Sequence, residues 1–356
     1  MDIIAFTRGV PPAESFPKEA IFECARRVLR DNSAQVLQYG NGAGFGPLRE
    51  VIASDNHVDP GRVVVGQGSL QVLDTLGRVT LAKGDTVFIE QPTYDRTITL
   101  FQRAKVNLVG FALTDGQMDL GEIERALKAD PAPRYFYVIP DFQNPSGAVM
   151  ALPVRERLIE LAHQHGFLII EDCPYRHLRY FGEHIPAIFE LAPDVTIRMS
   201  SFSKMVSPGI RTGYMILPAD LAPSISKFAA DTYISPSMFD QAVVVDFINQ
   251  GYLKEHTAYL VDLFRPRLIT LLDALDEHLD GKGAWTRPQG GYFVSFSVDQ
   301  NLTAVDLAAA QEAGLALSDG RGFFIRGGER FIRLPFCALD ESQIEEGIRR
   351  LARLIG

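Results

Sequence analysis

Cysteine is scarce: Cys24, Cys173 and Cys337 are the only three in 356 residues. They are odd in number and far apart. That excludes a disulfide framework, and none has the spacing of a zinc site. Cysteines placed singly fit a reducing, cytoplasmic setting. The seven histidines are scattered without a metal-ligand pattern; His163 and His165 flank an expected helix end and read as structural. No uninterrupted apolar run approaches the roughly 18 residues that span a bilayer. The opening MDIIAFTRGVPP lacks the basic start and long apolar stretch of a signal peptide. Positive charge is not in excess either. The formal net charge is -9, which argues against nucleic acid or an anionic membrane as the main partner. The short basic segment ECARRVLR (23–30) has helical spacing and reads as a solvated helix face. Internal repeats, low-complexity tracts and flexible linkers are missing as well.

What is present is length enough for a large core and for two domains, with an ordinary 46% of hydrophobic residues. From residue 63 to about 217, short apolar runs alternate with helical patterns. Strands are expected at 63–66, 86–90, 106–111, 135–140, 167–172, 195–200 and 211–217. Helices are expected at 69–81, 94–104, 118–129 and 153–166. Such alternation predicts an α/β fold whose mostly parallel sheet is covered by helices on both faces. After residue 220 the pattern changes to long helices over 237–250 and 252–280, strands at 290–298 and 330–336, and a closing amphipathic helix over 340–355. This predicts a smaller α+β domain with the N-terminal arm packed on it. The expected division is an arm at 1–38, a large domain at 39–265 and a small domain at 266–356.

In open α/β sheets, ligands bind beyond the carboxyl ends of the strands. The polar oddities of the sequence collect there. GQGSLQ (66–71) is a glycine-rich turn opening a helix, where backbone N–H groups and Ser69 would face an anion. Asn144 precedes a proline in DFQNPSG (141–147), where a plain turn is the simpler reading. Asp172 ends a buried strand in IIEDCPY, a costly place for a carboxylate without a cation. In SSFSKMVSPGIRTGY (200–214), Lys204 sits among small and apolar residues, which depresses a lysine pKa and makes the amine nucleophilic.

Taken in order, GNGAGFGPLRE, GQGSLQVLD, EQPTYDR, PDFQNPSG, EDCPY, SSFSKMVSPGIRTGY and RFIRLPF resemble segments of the fold-type-I pyridoxal-phosphate aminotransferases. The likeness covers essentially the whole chain. It is nearest to the branch holding the α-aminoadipate and kynurenine aminotransferases and the aminotransferase-like domains of certain bacterial regulators. The resemblance implies pyridoxal 5'-phosphate as cofactor and Lys204 as its Schiff-base lysine and general base. It implies Asp172 on the ring nitrogen, Tyr175 and Asn144 on the phenolic oxygen, and Tyr94 stacked on the ring. Ser69, the Leu70 N–H, Ser201 and Arg211 would hold the phosphate, and Arg333 the substrate α-carboxylate, with Asn144 and Gly40 also bordering substrate. Tyr39 would reach the phosphate of a neighbouring subunit, which implies a homodimer with shared sites.

Three departures stand out. GSLQ replaces the commoner GSQQ, so Leu70 has only its backbone to offer. EDC carries Cys173 where a second aspartate is usual, which reads as a packing change. FTRG puts Arg8 where relatives have small residues, so Arg8 would reach the substrate side. Transamination between an amino acid and a 2-oxo acid is the expected activity. Another reaction of the same cofactor, such as elimination, cyclisation or oxidation in specialised biosynthesis, is the alternative. A ligand-sensing regulator is a third reading, disfavoured because the family pattern starts within the first few residues and the charge is negative.

Overall fold

The structure is a computed structural model and describes residues 2–129 and 132–355. At its centre lies an eight-stranded sheet. Its spatial order is Val63–Gly66, Gly213–Ile216, Thr196–Ser201, Leu168–Asp172, Tyr135–Val138, Thr86–Gln91, Asn107–Thr114 and Gln117–Met118. The five strands from Thr196–Ser201 to Asn107–Thr114 pair in parallel. Gly213–Ile216 runs antiparallel to both its neighbours, and Gln117–Met118 closes the far edge antiparallel. The mostly parallel sheet expected from alternation is therefore present.

Burial of both sheet faces explains the continuous apolar runs. In Tyr135–Val138, Tyr135 and Tyr137 join one hydrophobic cluster while Phe136 and Val138 join another. The first cluster takes in the helices Ser69–Thr80 and Asp95–Arg103; the second takes in Leu120–Ala129 and Leu152–His165. Side chains alternate across a strand, so each strand feeds two cores at once. The helix Leu152–His165 ends at Gly166, whose φ of 74° closes it in the left-handed region.

A three-stranded antiparallel sheet, Gly283–Trp285, Phe293–Val298 and Phe331–Pro335, carries the C-terminal part. It packs with the helices Tyr252–Leu279 and Glu341–Leu354. The N-terminal strand Ile4–Phe6 pairs in parallel with Leu315–Leu317, and Ile4 and Phe6 are buried in the same C-terminal cluster. Only the start of the arm packs on the C-terminal part; the helix Lys18–Val36 buries Cys24, Val28 and Val36 with Val63 and Val65 of the large sheet and with Met238 instead.

Some expectations shift. The expected strand 290–298 begins only at Phe293, because Gly290 bridges to Arg179 instead and Gly290 and Gly291 lie against Phe142. The helix expected at 118–129 starts at Leu120, and Gln117–Met118 is an edge strand. ECARRVLR lies in the helix Lys18–Val36 but is solvated only in part. Arg26 and Arg30 are exposed, whereas Cys24 and Val28 are buried and Arg27 pairs with Asp246 at 2.8 Å. Among the described residues, no helix is long and apolar enough to cross a membrane, and no cluster of histidine, cysteine or acidic residues could hold a metal ion. Cys24, Cys173 and Cys337 are buried and unpaired.

Candidate active site

A cavity of about 350 Å³ opens at the carboxyl edge of the large sheet. Many of its wall residues arrive at the end of a strand or the start of a helix. Asp172 is the last residue of its strand. Asn144 lies in the loop after Tyr135–Val138, and Ser201 closes Thr196–Ser201. Tyr94 caps the helix Asp95–Arg103, and Ser69 and Leu70 open the helix Ser69–Thr80. All of these, with Tyr175, Lys204, Arg211 and Arg333, line the one cavity. Arg8 and Gly9 of the N-terminal arm line it too.

The buried acid is Asp172. Its Oδ2 accepts a hydrogen bond from the Tyr137 hydroxyl at 2.6 Å, and its Oδ1 is buried without a partner. Burial pushes its carboxyl up to about 7, against the smaller opposing effect of the Tyr137 bond. Leaving a buried carboxylate oxygen unpaired costs free energy on the order of 1–3 kcal/mol, so the position demands a donor from within the cavity.

Lys204 lies in the turn after Thr196–Ser201. Its Nζ donates to the Gly9 carbonyl oxygen at 2.9 Å and stands 5.4 Å from the Tyr292 ring and 5.8 Å from the Tyr175 ring. No carboxylate meets it. Burial, with smaller contributions from Arg333 and Arg211, lowers the amine to about 8. A fraction of it is therefore neutral and nucleophilic near neutral pH.

At one end of the cavity the chain forms an anion cradle. Gly68 has φ 91°, and a Cβ there would collide with the Arg211 guanidinium. A Cβ on Gly213 would likewise collide with the Ser69 amide nitrogen. Because both positions are glycine, the Arg211 guanidinium and the strand Gly213–Ile216 can lie close against the helix N-terminus at Ser69–Leu70. First-turn N–H groups lack helical acceptors and favour an anion. Arg211 itself is left-handed, with φ 45° and ψ 38°, a costly conformation for a bulky residue. It donates from Nη2 to the Gln67 carbonyl at 3.0 Å, which holds its fork beside Gly68. The Ser201 hydroxyl donates to the Thr212 carbonyl at 3.2 Å and accepts from the Ser203 amide at 3.1 Å.

At the other end stands Arg333, buried in the strand Phe331–Pro335. Its Nη1 donates to Asn144 Oδ1 at 3.0 Å and its Nη2 to the Thr7 carbonyl at 2.7 Å. The guanidinium lies 4.5 Å from the Phe323 ring and 5.0 Å from the Phe293 ring. Burial lowers its pKa, while the aromatic faces and two acceptors hold it in one orientation.

Taken together, the donor set suits pyridoxal 5'-phosphate. An unpartnered carboxylate oxygen can meet a ring nitrogen, a nucleophilic lysine can meet an aldehyde, and a glycine-lined helix N-terminus with an arginine can meet a phosphate. The comparisons decide the family. The sequence pattern of aminotransferase class I and II matches residues 2–351. The chain belongs to this aminotransferase family. It is 34% identical to the 2-aminoadipate transaminase of Thermus thermophilus, over 99% of this chain and 90% of that one. It is also 34% identical to aromatic-amino-acid aminotransferase 1 of Thermococcus litoralis, over 99% of this chain and 88% of the relative. The crystal structure of the alpha-aminoadipate aminotransferase of Thermus thermophilus, complexed with N-(5'-phosphopyridoxyl)-L-leucine, superposes with a TM-score of 0.93. There the identity is 33%, over 99% of this chain and 92% of that one. The aminotransferase described here is a fold-type-I, pyridoxal-phosphate-dependent transaminase.

Two expected residues lie elsewhere in this aminotransferase. Tyr39 is 75% exposed, and Gly40 packs against Met238 with its N–H donating to the Ser235 hydroxyl at 3.1 Å; neither borders the cavity of its own chain. Other residues were not foreseen. Tyr137, on the strand beside Asp172, was visible only as an apolar-run residue, although a tyrosine in a fully buried strand needs a partner for its hydroxyl. Glu90 accepts from the Ile139 amide at 2.9 Å, and Gln143 donates to the Pro92 carbonyl at 2.7 Å; together they fix the loop that carries Asn144. Burial pushes Glu90 up to about 7. The carbonyls of Thr7 and Gly9 left no trace, since any residue type supplies them. Cys173, as expected, is a packing residue, its thiol donating to the Met199 carbonyl at 3.3 Å.

Proposed function

We propose that this aminotransferase moves the amino group between an L-amino acid and a 2-oxo acid with Lys204 as its central residue. Pyridoxal phosphate supplies an aldehyde that accepts the amine and a ring that draws electrons from the bond being broken. Lys204 holds the cofactor at its aldehyde carbon. Its amine, lined up in the cavity, would also move the proton at the substrate Cα. The neutral fraction that its lowered pKa provides suits both tasks. Asp172 keeps the ring nitrogen protonated through its unpartnered oxygen, with Tyr137 fixing the other. Tyr175 and Asn144 bond the phenolic oxygen and Tyr94 covers the ring. Ser69, the Leu70 N–H, Ser201 and Arg211 bind the phosphate. Arg333 clamps the substrate α-carboxylate, orienting the Cα bond that breaks.

The observation that carries this reading is the pairing of an unpartnered buried carboxylate oxygen and a carboxylate-free lysine in one cavity. The test is to add amino acids singly to the cofactor-loaded enzyme and follow the conversion of the cofactor to its amine form by absorbance. Absence of conversion with every amino acid, together with product formation by elimination or oxidation, would overturn transamination.

The same proposal includes a homodimer with shared sites, the Tyr39–Gly40 segment facing the partner. Leu37 is 70% exposed and Ile234 56% exposed. Both lie near Tyr39 in the chain or through the Gly40–Ser235 bond, so the surface is apolar enough to be covered. Division into an arm (1–38), a large domain (39–265) and a small domain (266–356) belongs to it as well, supported by the three-stranded antiparallel sheet of the C-terminal part, which is distinct from the eight-stranded one. So does cytoplasmic residence, supported by three cysteines that form no disulfide. The absence of nucleic acid among its partners belongs to it too, supported by the net charge of -9.

A further inference from the structure

Among the described residues, the Asp172 carboxyl has one hydrogen-bond partner, the phenol of Tyr137, 2.6 Å from its Oδ2. Its Oδ1 has none. Glu90, the buried acid that feels its charge, is bonded to the Ile139 amide and the Gln143 side chain instead. The two oxygens of one carboxyl are thus divided, one to the protein and one to the cavity.

Strand register builds the contact. Tyr137 stands beside Ile170 on one neighbouring strand and beside Ile89 on the other. Asp172 follows Ile170 by two residues, so it shares that face of the sheet. Side chains in a strand lean along it, and the long tyrosine ring spans the distance to the carboxyl. The ring has little freedom to leave. Tyr137 is fully buried, and the Phe101 ring meets it edge-on with centroids 6.4 Å apart. Burial and the charge of Asp172 push the phenol well above its usual 10. The hydroxyl therefore keeps its proton across the neutral range and always donates.

We propose that Tyr137 is a positioning residue that decides where the proton shared by Asp172 and the cofactor ring nitrogen settles. This depends on the reading of Asp172 as the partner of that nitrogen. A proton between a carboxylate oxygen and an aromatic nitrogen stays on the more basic of the two. Donation to Oδ2 favours the charged carboxylate and makes Oδ1 less basic. The proton then remains on nitrogen, and the ring keeps its pull on electrons. Without the phenol, Oδ2 is a buried oxygen with no donor, and the carboxyl lowers its cost by becoming neutral. An N–H bond breaks, an O–H bond forms at Oδ1, and the electron pair stays on nitrogen. A hydrogen bond to a charged group moves such a balance by roughly 10- to 100-fold.

Tyr137→Phe removes the hydroxyl and keeps the ring. Tyr135→Phe is its control. Tyr135 lies two residues away in the same strand and core, and its hydroxyl goes to Thr80 Oγ1 at 2.7 Å. Each holoenzyme is loaded with pyridoxal phosphate carrying a heavy-nitrogen label in the ring, and the nitrogen chemical shift is read by NMR at one fixed pH. The wild type and Tyr135→Phe should show a protonated nitrogen. Tyr137→Phe should show the proton equilibrium moved roughly 10- to 100-fold toward the carboxyl. A nitrogen as protonated in Tyr137→Phe as in the wild type overturns the proposal, and so does an equal change in Tyr135→Phe. An unprotonated nitrogen in the wild type removes it together with the reading of Asp172. The cofactor-free protein separates the two. Its Asp172 carboxyl, at about 7 in the wild type, should titrate roughly 1 to 2 pH units higher in Tyr137→Phe, followed by carbon NMR of labelled aspartate. An unchanged titration sinks the role of Tyr137 and leaves Asp172 on the ring nitrogen. If Tyr137→Phe does not fold, a fluorinated tyrosine placed at residue 137 strengthens the donor with little change of shape. It should lower the same titration, and a rise or no change counts against the proposal.

Discussion

The amine of Lys204 donates its hydrogen bond to the backbone carbonyl of Gly9, 195 residues earlier in the chain, and to no carboxylate. A neutral acceptor cannot repay the loss of water around an ammonium group. Burial therefore lowers the amine from 10.5 to about 8. In the cofactor-free protein, the rate of reaction with pyridoxal phosphate should rise with pH and level off just above 8. Stopped-flow absorbance measures it; a midpoint close to 10.5 contradicts this account of the site.

Asp172 carries the opposite consequence. Its folded pKa, about 7, lies above the usual 3.8, so the fold prefers the neutral carboxyl. In the cofactor-free protein its contribution to stability is full below about pH 4 and is lost as pH rises through 7. Asp172→Asn should match the wild type near pH 4 and exceed it at pH 8 by about 1 kcal/mol or more, as read by denaturant unfolding. Glu90, also raised to about 7, keeps part of the pH slope in the variant. With cofactor, the same variant should lose activity on the order of 10²-fold or more, because an amide does not hold the ring nitrogen protonated.

Arg333 separates binding from chemistry. Its fork already serves Asn144 and Thr7, and a lysine offers one charge without that geometry. Arg333→Lys should raise KM for the amino donor by roughly 10- to 100-fold, with a smaller fall in kcat. Steady-state kinetics read both. An unchanged KM would remove Arg333 from the α-carboxylate.

Tyr39 is tested by mixing subunits. In the proposed homodimer, Lys204→Ala subunits would lack the amine and Tyr39→Ala subunits the residue proposed to serve the partner. A hybrid of the two contains one complete site if Tyr39 serves the neighbouring subunit. Activity of the mixture after exchange should exceed that of either parent. No gain, with hybrids shown by native mass spectrometry, places Tyr39 outside the partner's site.

The elements were legible where the period was clean. Tyr135–Val138 and Leu168–Asp172 are apolar without interruption because both their faces are buried, and that alone marks a parallel central strand. The sequence brought to attention, by residue type, Lys204, Asp172 and Arg211, which line one cavity. The short strands Ile4–Phe6 and Leu315–Leu317 were not legible, because three residues hold too little pattern and their pairing is settled by the C-terminal core. The support beneath Asn144 was hidden for another reason: Glu90 and Gln143 are ordinary in sequence and acquire their role only when the loop folds between them.

The pairing of Ile4–Phe6 with Leu315–Leu317 also sets an order of assembly. Every strand of the large sheet has left the ribosome once residue 216 has emerged. The strand Ile4–Phe6 has nothing to pair with until residue 317 has followed. A nascent chain can therefore form the phosphate cradle and place Lys204 while Gly9 and Arg8 still hang loose. The end of the cavity lined by Arg8 and Gly9 is finished last, by residues made first.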